Sequence, residues 1–433
     1  MTLNVGRRSI VAALVPVGCA LLLMGLVLLA TESLVTAILA LGLATTLVLV
    51  VCFDLSGAGT LFVTLAMFLA PSNDLRLGSS YVTASDILFV VGFALLTPTI
   101  LRNRLRVPPL FLLGLAIVLA MGSLASIAAP VPIVSANQLV RLIVGAFALP
   151  VFFMIWRPAQ HVVVRFATAY IFGAVLSVGW AMLEGPIGEG RYIGLTYHPN
   201  YFGLASLLGL SLVPYVVAQI PAAYQWLIWG AGAICAFGVF ISGSRAALLV
   251  MIMIFVIYPF VERSVRAGGA VMLGITGVLA FSGRLLSEDS DSNALGRLFG
   301  GGTASGSDLD RQRALAEAWD QFRVHPLLGN GFDGGLGSHN IYLQVAVAVG
   351  IFGLLGYLMI MWTALRPLFW PGINHRLAYP VLAYLAVGPL TNTLWDRLIW
   401  AAIALTFAMN TQPPPLDDAE DPKDSLAEMR NSG

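Results

Sequence analysis

The chain has 433 residues, of which 58% are hydrophobic and only 10% charged, and its formal net charge is +1. Its mean hydropathy is +0.87. A water-soluble globular chain carries about 25% charged residues, so this composition excludes one. No basic tract offers a footing for nucleic acid, and membrane lipids are the expected surroundings.

Apolar runs close to the ~20 residues that cross a bilayer recur from end to end. They predict an all-α polytopic membrane protein of about 12–14 transmembrane helices. The runs fall at roughly 9–30, 33–53, 56–70, 84–101, 109–128, 138–156, 160–183, 199–219, 225–243, 246–261, 268–283, 340–365, 377–393 and 397–410. Arg7-Arg8 before the first run resembles a signal peptide, but the run is long and no clear A-x-A site follows, so it reads as a retained span. Cys19, Cys52 and Cys235 all lie inside apolar runs, spaced for neither metal nor disulfide. Arg7, Arg8, Arg102, Arg104, Arg106, Arg157, Arg263, Arg266, Arg366 and Arg376 fall on one side of these spans. The positive-inside rule makes that side the cytoplasm and puts both termini there. The expected organisation is a transmembrane domain over 1–410 and a disordered, Pro-rich cytoplasmic tail over 411–433.

The opposite face carries the loop 184–198, the turn Ser242–Arg245 and a long extracytoplasmic loop over about 284–338. The first part of that long loop, from SEDSDSN to GGGTASGSD, is flexible by composition. Its second part begins with a capping-box-like Ser307-x-x-Asp310. DRQRALAEAWDQF then predicts an amphipathic helix, with Leu315, Trp319 and Phe322 as its apolar stripe. Arg311 lies on that stripe. Arg313, Glu317 and Asp320 lie on the solvent side, where Arg313 can pair with Glu317 at i+4.

Arg191 and Arg245 stand at the outer ends of spans, against the inside bias. Such an arginine either snorkels to lipid phosphates or serves as a fixed cation for a buried anion. The neighbouring sequence favours the second role. RYIGLTYHPNYFG ends in His198-Pro199-Asn200, and Pro199 suits a first helical position. The helix it opens aims its N-terminus outward, where free N–H groups favour anions. GLGSHNIYLQ repeats the arrangement, with Ser338 as the expected N-cap and His339 in the first turn. Two such ends beside Arg191, Arg245 and Arg311 would hold a pyrophosphate.

These residues also form a recognisable set: G-R-x-x-G…P-N, the span end S-G-S-R-A, and R-x13-H-P-L-L-G-N-G leading to S-H-N-x-Y-L-Q…G-I-x-G-L. Over about 190–360 the chain resembles the O-antigen ligase and polymerase superfamily of polytopic glycosyltransferases. The resemblance implies a glycan donor on undecaprenyl diphosphate at the outer face of the inner membrane. It also implies transfer to a hydroxyl of a glycan or lipid-linked glycan, with no cofactor and no metal. Ligase and polymerase share the motifs. The resemblance maps diphosphate binding onto Arg191, Arg245 and Arg311, and the essential histidine onto His339.

A sugar hydroxyl is a poor nucleophile at neutral pH, and a neutral histidine can accept its proton. A helix N-terminus keeps the histidine neutral, and the arginines would stabilise the leaving diphosphate. His339 could instead merely cap the helix. Asn340 and Gln344 could bind sugar hydroxyls or act as interhelical glue. Glu184 could orient Arg191 or act as another base, and the part played by His198 and Asn200 is open. Two D-x-D patterns, Asp289/Asp291 and Asp308/Asp310, read as a flexible acidic run and a helix start rather than as metal sites. The sequence contains no Walker A motif. A transporter or flippase is the alternative reading, since Gly/Pro-interrupted helices suit one. It would need ionisable groups at mid-span, whereas here they gather at one face.

Overall fold

The computed structural model describes residues 34–76, 82–103, 106–187, 190–266, 268–269, 293–298, 304–332, 337–370 and 373–408. The expected span 9–30, all but the first two residues of the span 268–283, the pair Asp289/Asp291 and the tail 411–433 lie outside them. The described residues are helical, with only two isolated β-bridges. Seven helices among them are long and apolar enough to cross a membrane, and three shorter apolar ones accompany these. The protein is an all-α polytopic membrane protein.

The chain divides into two units, residues 1–67 with 76–104, and residues 68–75 with 105–433. In the first unit α1 (Leu34–Leu69) joins the expected spans 33–53 and 56–70 into one stretch bent at Asp54, whose φ is 62°. The Asp54 carboxylate accepts the Gly57 N–H at 2.7 Å, so the side chain caps the second half of the bend. Helix α2 (Ala84–Ile100) starts at a capping box between Thr83 and Asp86, which gives Asp86 a structural task.

The second unit holds α3 (Pro109–Ala128), α4 (Pro132–Trp156), α5 (Gln160–Glu184), α6 (Pro199–Val217), α7 (Ala222–Ile241) and α8 (Arg245–Val261). It continues with the short α9 (Ala294–Leu298), α10 (Ala304–Val324), α11 (Ile341–Leu365), α12 (Tyr379–Val387) and α13 (Arg397–Ala404). Helix α4 begins at Pro132, earlier than expected, and contains a π-helical turn at Ile143–Phe147. Arg397 donates to the Gly145 carbonyl of that turn at 3.0 Å. Helices α3 and α11 cross where both lack side chains: a Cβ on Gly114 would meet the Gly356 carbonyl oxygen at 2.5 Å. Small residues let helix backbones approach closely in this way within a membrane.

Helix α11 is broken at Gly350, which has φ 69° and ψ −177°. A break leaves backbone groups unbonded, and in hydrocarbon each such group costs several kcal/mol. The loop HPLLGNG, residues 325–331, fills the break. Asn330 and Gly331 donate N–H bonds to the Val347 and Ala348 carbonyls at 2.8 and 3.0 Å, and Ile351 donates to Pro326 at 2.9 Å. Beyond the loop, Phe332 N–H bonds the Ser135 hydroxyl on α4 at 2.8 Å. The first half of α11 is therefore a short helix held by a loop rather than the top of a continuous span.

At the far ends of α6 and α8, Glu262 is buried and accepts bonds from Arg376, His375 and Tyr379. Burial pulls its pKa up, but the bonds from His375 and Arg376 outweigh this and bring it down to about 2.

Candidate active site

The turn Ser242-Gly243-Ser244 joins α7 to α8 and packs against the first turn of α6. A Cβ on Gly203 would meet the Ser242 hydroxyl at 2.6 Å, so only glycine admits this approach. His198 N-caps α6, its Nδ1 accepting the Asn200 N–H at 3.1 Å. Arg191 is buried, with 8% exposure. Its Nε donates to the Ser242 carbonyl at 3.0 Å, and its Nη2 donates to the Asn200 Oδ1 at 2.8 Å. Asn200, not Glu184, orients Arg191. Glu184 is exposed and instead accepts a bond from Trp180 Nε1 at 3.1 Å.

Arg245 is the first residue of α8, after the N-cap Ser244. Its guanidinium makes a two-pronged ion pair with Asp308 of α10, with Nη1 to Oδ2 at 2.9 Å and Nη2 to Oδ1 as the second contact. The bonds from Arg245 hold the Asp308 carboxyl below its usual range, and Arg311 and Arg297 add to this. Asp308 thus has an ion-pair role that the D-x-D reading missed, while Asp310 lies exposed 4.0 Å from Arg313. Asp310 takes the position expected of Glu317. Among the described residues no group of three His, Cys, Asp or Glu converges.

Helix α10 runs over Ala304–Val324, longer than expected, so Ser307 and Asp310 lie inside it rather than at its cap. Its docking face is also rotated. Leu315 and Trp319 are 42% and 46% exposed, whereas Ala318 is buried against Leu343 and Val347 of α11, with Phe322 partly buried beside it. Arg311, seven residues before Ala318, lies on that docking face and is half-buried. Arg313 is exposed. Burial, then the charges of Arg245 and Arg297, push Arg311's pKa down. Among the described residues no hydrogen bond ties its guanidinium.

His339 precedes α11 rather than lying in its first turn. Asn340 is the N-cap, its Oδ1 accepting the Leu343 N–H at 3.1 Å, while Ser338 supports the turn by bonding the Asn340 carbonyl at 3.0 Å. His339 has φ 50°, a left-handed conformation uncommon for a residue other than glycine. Such strain clusters at functional sites. Burial first, then the positive charge of Arg311, push the imidazole pKa below its ordinary 6.5. Both effects disfavour the cation, so the neutral form dominates at pH 7. Gln344, one turn into α11, is 1% exposed, and among the described residues its Oε1 has no hydrogen-bond partner.

Sequence reasoning also missed Arg297. The stretch expected to be flexible contains α9, which packs on α7 and α8 and buries this arginine to 4% exposure. Its charge reaches both Asp308 and Arg311. A lone arginine among glycines gives no pattern from which this could be read.

The fold and site together define a polytopic helical membrane protein in which Arg245 and Arg311 neighbour one another through α10, and Arg311 lies near enough to His339 to act on its charge. Residues 230–358, from within α7 to beyond the break in α11, match the family model described as O-antigen ligase. The match supports assigning the chain to the O-antigen ligase and polymerase superfamily, and its activity to a membrane glycosyltransferase of that type. No curated protein matches the chain.

Proposed function

We propose that the protein transfers a glycan from an undecaprenyl-diphosphate donor to an acceptor hydroxyl on a glycan or lipid-linked glycan, at the outer face of the inner membrane. Both termini would then be cytoplasmic, and the chemistry would need no metal. The observation that carries this reading is that α10, which bears Arg311, pairs with Arg245 through Asp308 and packs through Ala318 on α11, the helix that His339 precedes. Arg191 and the start of α6 stand against the same turn as Arg245.

In the proposed step, neutral His339 accepts the proton of the acceptor hydroxyl. The hydroxyl oxygen bonds the donor's anomeric carbon as the bond from that carbon to the diphosphate oxygen breaks. The electron pair leaves with the lipid diphosphate, whose charge the arginines hold. Arginine suits this role because its fork binds phosphate oxygens in pairs and stays charged. Gln344 presents an unbonded buried carbonyl oxygen, a group that costs about 1–3 kcal/mol unless something satisfies it. A sugar hydroxyl would do so. The test is purified protein assayed on lipid-linked donor. His339→Ala should lose transfer while still binding donor, and near-wild-type turnover would remove His339 as the base.

A further inference from the structure

Arg245 cannot hold a phosphate with the same fork it gives to Asp308. The pair is two-pronged, so the carboxylate occupies the face of the guanidinium that a phosphate would take. The two partners are unequally placed. The Arg245 side chain is 18% exposed and that of Asp308 45%, so the carboxylate lies on the open side of the contact. It can leave while the guanidinium stays anchored at the start of α8.

We propose that Asp308 is a specificity-determining residue: it is an internal anion that keeps Arg245 occupied, and only a phosphate group carrying more than one negative charge exchanges for it. This rests on the diphosphate reading of the site. The charge balance explains the selection. Arg245 and Arg311 share their field with the Asp308 carboxylate, two cations against one anion among these three side chains. A monoanion that displaces Asp308 swaps one charge for one and leaves the positive excess as it was. A diphosphate replaces the carboxylate at Arg245 and brings a second charge for Arg311.

The distinction matters at a membrane surface. Phospholipid phosphodiesters, which are monoanions, surround any arginine there and would otherwise compete for the fork. Asp308 thereby lets the Arg245 guanidinium await a scarce lipid diphosphate without filling with bulk lipid.

The full-length protein in detergent should be titrated with inorganic pyrophosphate and, as the phosphodiester monoanion, with dimethyl phosphate. Wild type should prefer pyrophosphate. Asp308→Asn should bind dimethyl phosphate about tenfold more tightly, equivalent to about 1.4 kcal/mol of lost competition. Its gain for pyrophosphate should be smaller, so discrimination narrows. Asp308→Ser, which removes the same charge by a different shape, should behave alike, and Asp308→Glu should keep wild-type discrimination. If wild type binds pyrophosphate and both neutral variants discriminate as it does, Asp308 selects nothing. Weaker pyrophosphate binding in both would likewise overturn the proposal, leaving Asp308 as a prop for Arg245. If neither wild type nor the neutral variants bind pyrophosphate, the diphosphate reading itself falls and takes this inference with it.

Discussion

Replacing Gly350 with alanine tests whether the loop 325–331 holds the site together. The glycine has φ 69° and ψ −177°, and positive φ of this kind costs about 1–3 kcal/mol with a side chain. The new Cβ would also stand 2.0 Å from the Leu327 carbonyl oxygen and 2.4 Å from its carbon. Those are backbone atoms, so no rotamer change relieves the overlap, and overpacking adds about 1–3 kcal/mol. The expected loss is therefore about 2–6 kcal/mol. Retreat of the loop offers no cheaper route, because it breaks the bonds from Asn330, Gly331 and Ile351, each worth about 0.5–1.5 kcal/mol net. Unfolding of the detergent-purified protein, followed by tryptophan fluorescence, reads the effect. The control is Gly179→Ala in α5, where a Cβ meets nothing within 4 Å. That change should leave stability equal or raise it by up to about 1 kcal/mol. Transfer should fall in Gly350→Ala even below its unfolding temperature, because the loop supports the half-helix that follows His339. If the two alanine variants unfold alike, the loop does not plug the break.

The remaining predictions concern the charged groups. His339 has a folded pKa below 6.5, so its contribution to stability is present above that value and is lost as pH falls through the folded pKa. Imidazole NMR of the donor-free protein should show the depressed value, and Arg311→Gln should raise it while leaving it under 6.5, since burial, the larger cause, remains. Arg191→Lys should cost at least about tenfold in kcat/KM, about 1.4 kcal/mol, although charge is kept. A single ammonium cannot reproduce the bonds to Ser242 and Asn200 together with a phosphate contact. Unchanged kinetics would leave Arg191 only a structural role, tying α6 to the Ser242–Ser244 turn. Arg311→Ala should abolish most transfer and Arg313→Ala almost none, because the first is half-buried on the docking face and the second is exposed beside Asp310. Equal losses in the two would mean that α10 docks on another face.

The apolar spans, and the arginines and histidine standing at their ends, were legible because each is a break in a pattern: charge at the end of an apolar run, or polar residues after a glycine turn. The docking face of α10 was not. The stripe argument sought large apolar residues and found Leu315 and Trp319, but the buried position is Ala318, where a small side chain lets α10 approach α11. Near a membrane, exposure of leucine and tryptophan carries no penalty that would force them inward. The break at Gly350 was equally silent. Glycine is common in membrane helices, and nothing in VAVAVGIFGLLG distinguishes the residue that adopts positive φ from Gly353, which does not. The partner of Arg245 lay in a D-x-D pattern whose more familiar meaning drew attention from charge pairing.

The break and the histidine belong to one device. The half-helix 341–349 begins just after His339, in its left-handed conformation, and ends at Gly350, also at positive φ. On one side it is gripped by Ala318 and Phe322 of α10, the helix that carries Arg311 and Asp308. At its far end the loop 325–331 follows directly from α10 in sequence and bonds its last carbonyls. A single segment from 304 to 331 therefore places Arg311, supplies the Asp308 carboxylate that occupies Arg245, and fixes the half-helix that follows His339, the proposed base. An unbroken span could not serve in the same way, because its end would follow the tilt of the whole helix in the bilayer. Breaking α11 at Gly350 lets the active-site half take its position from α10 and its loop. The residues 351–365 remain free to pack on α3 as a membrane span must.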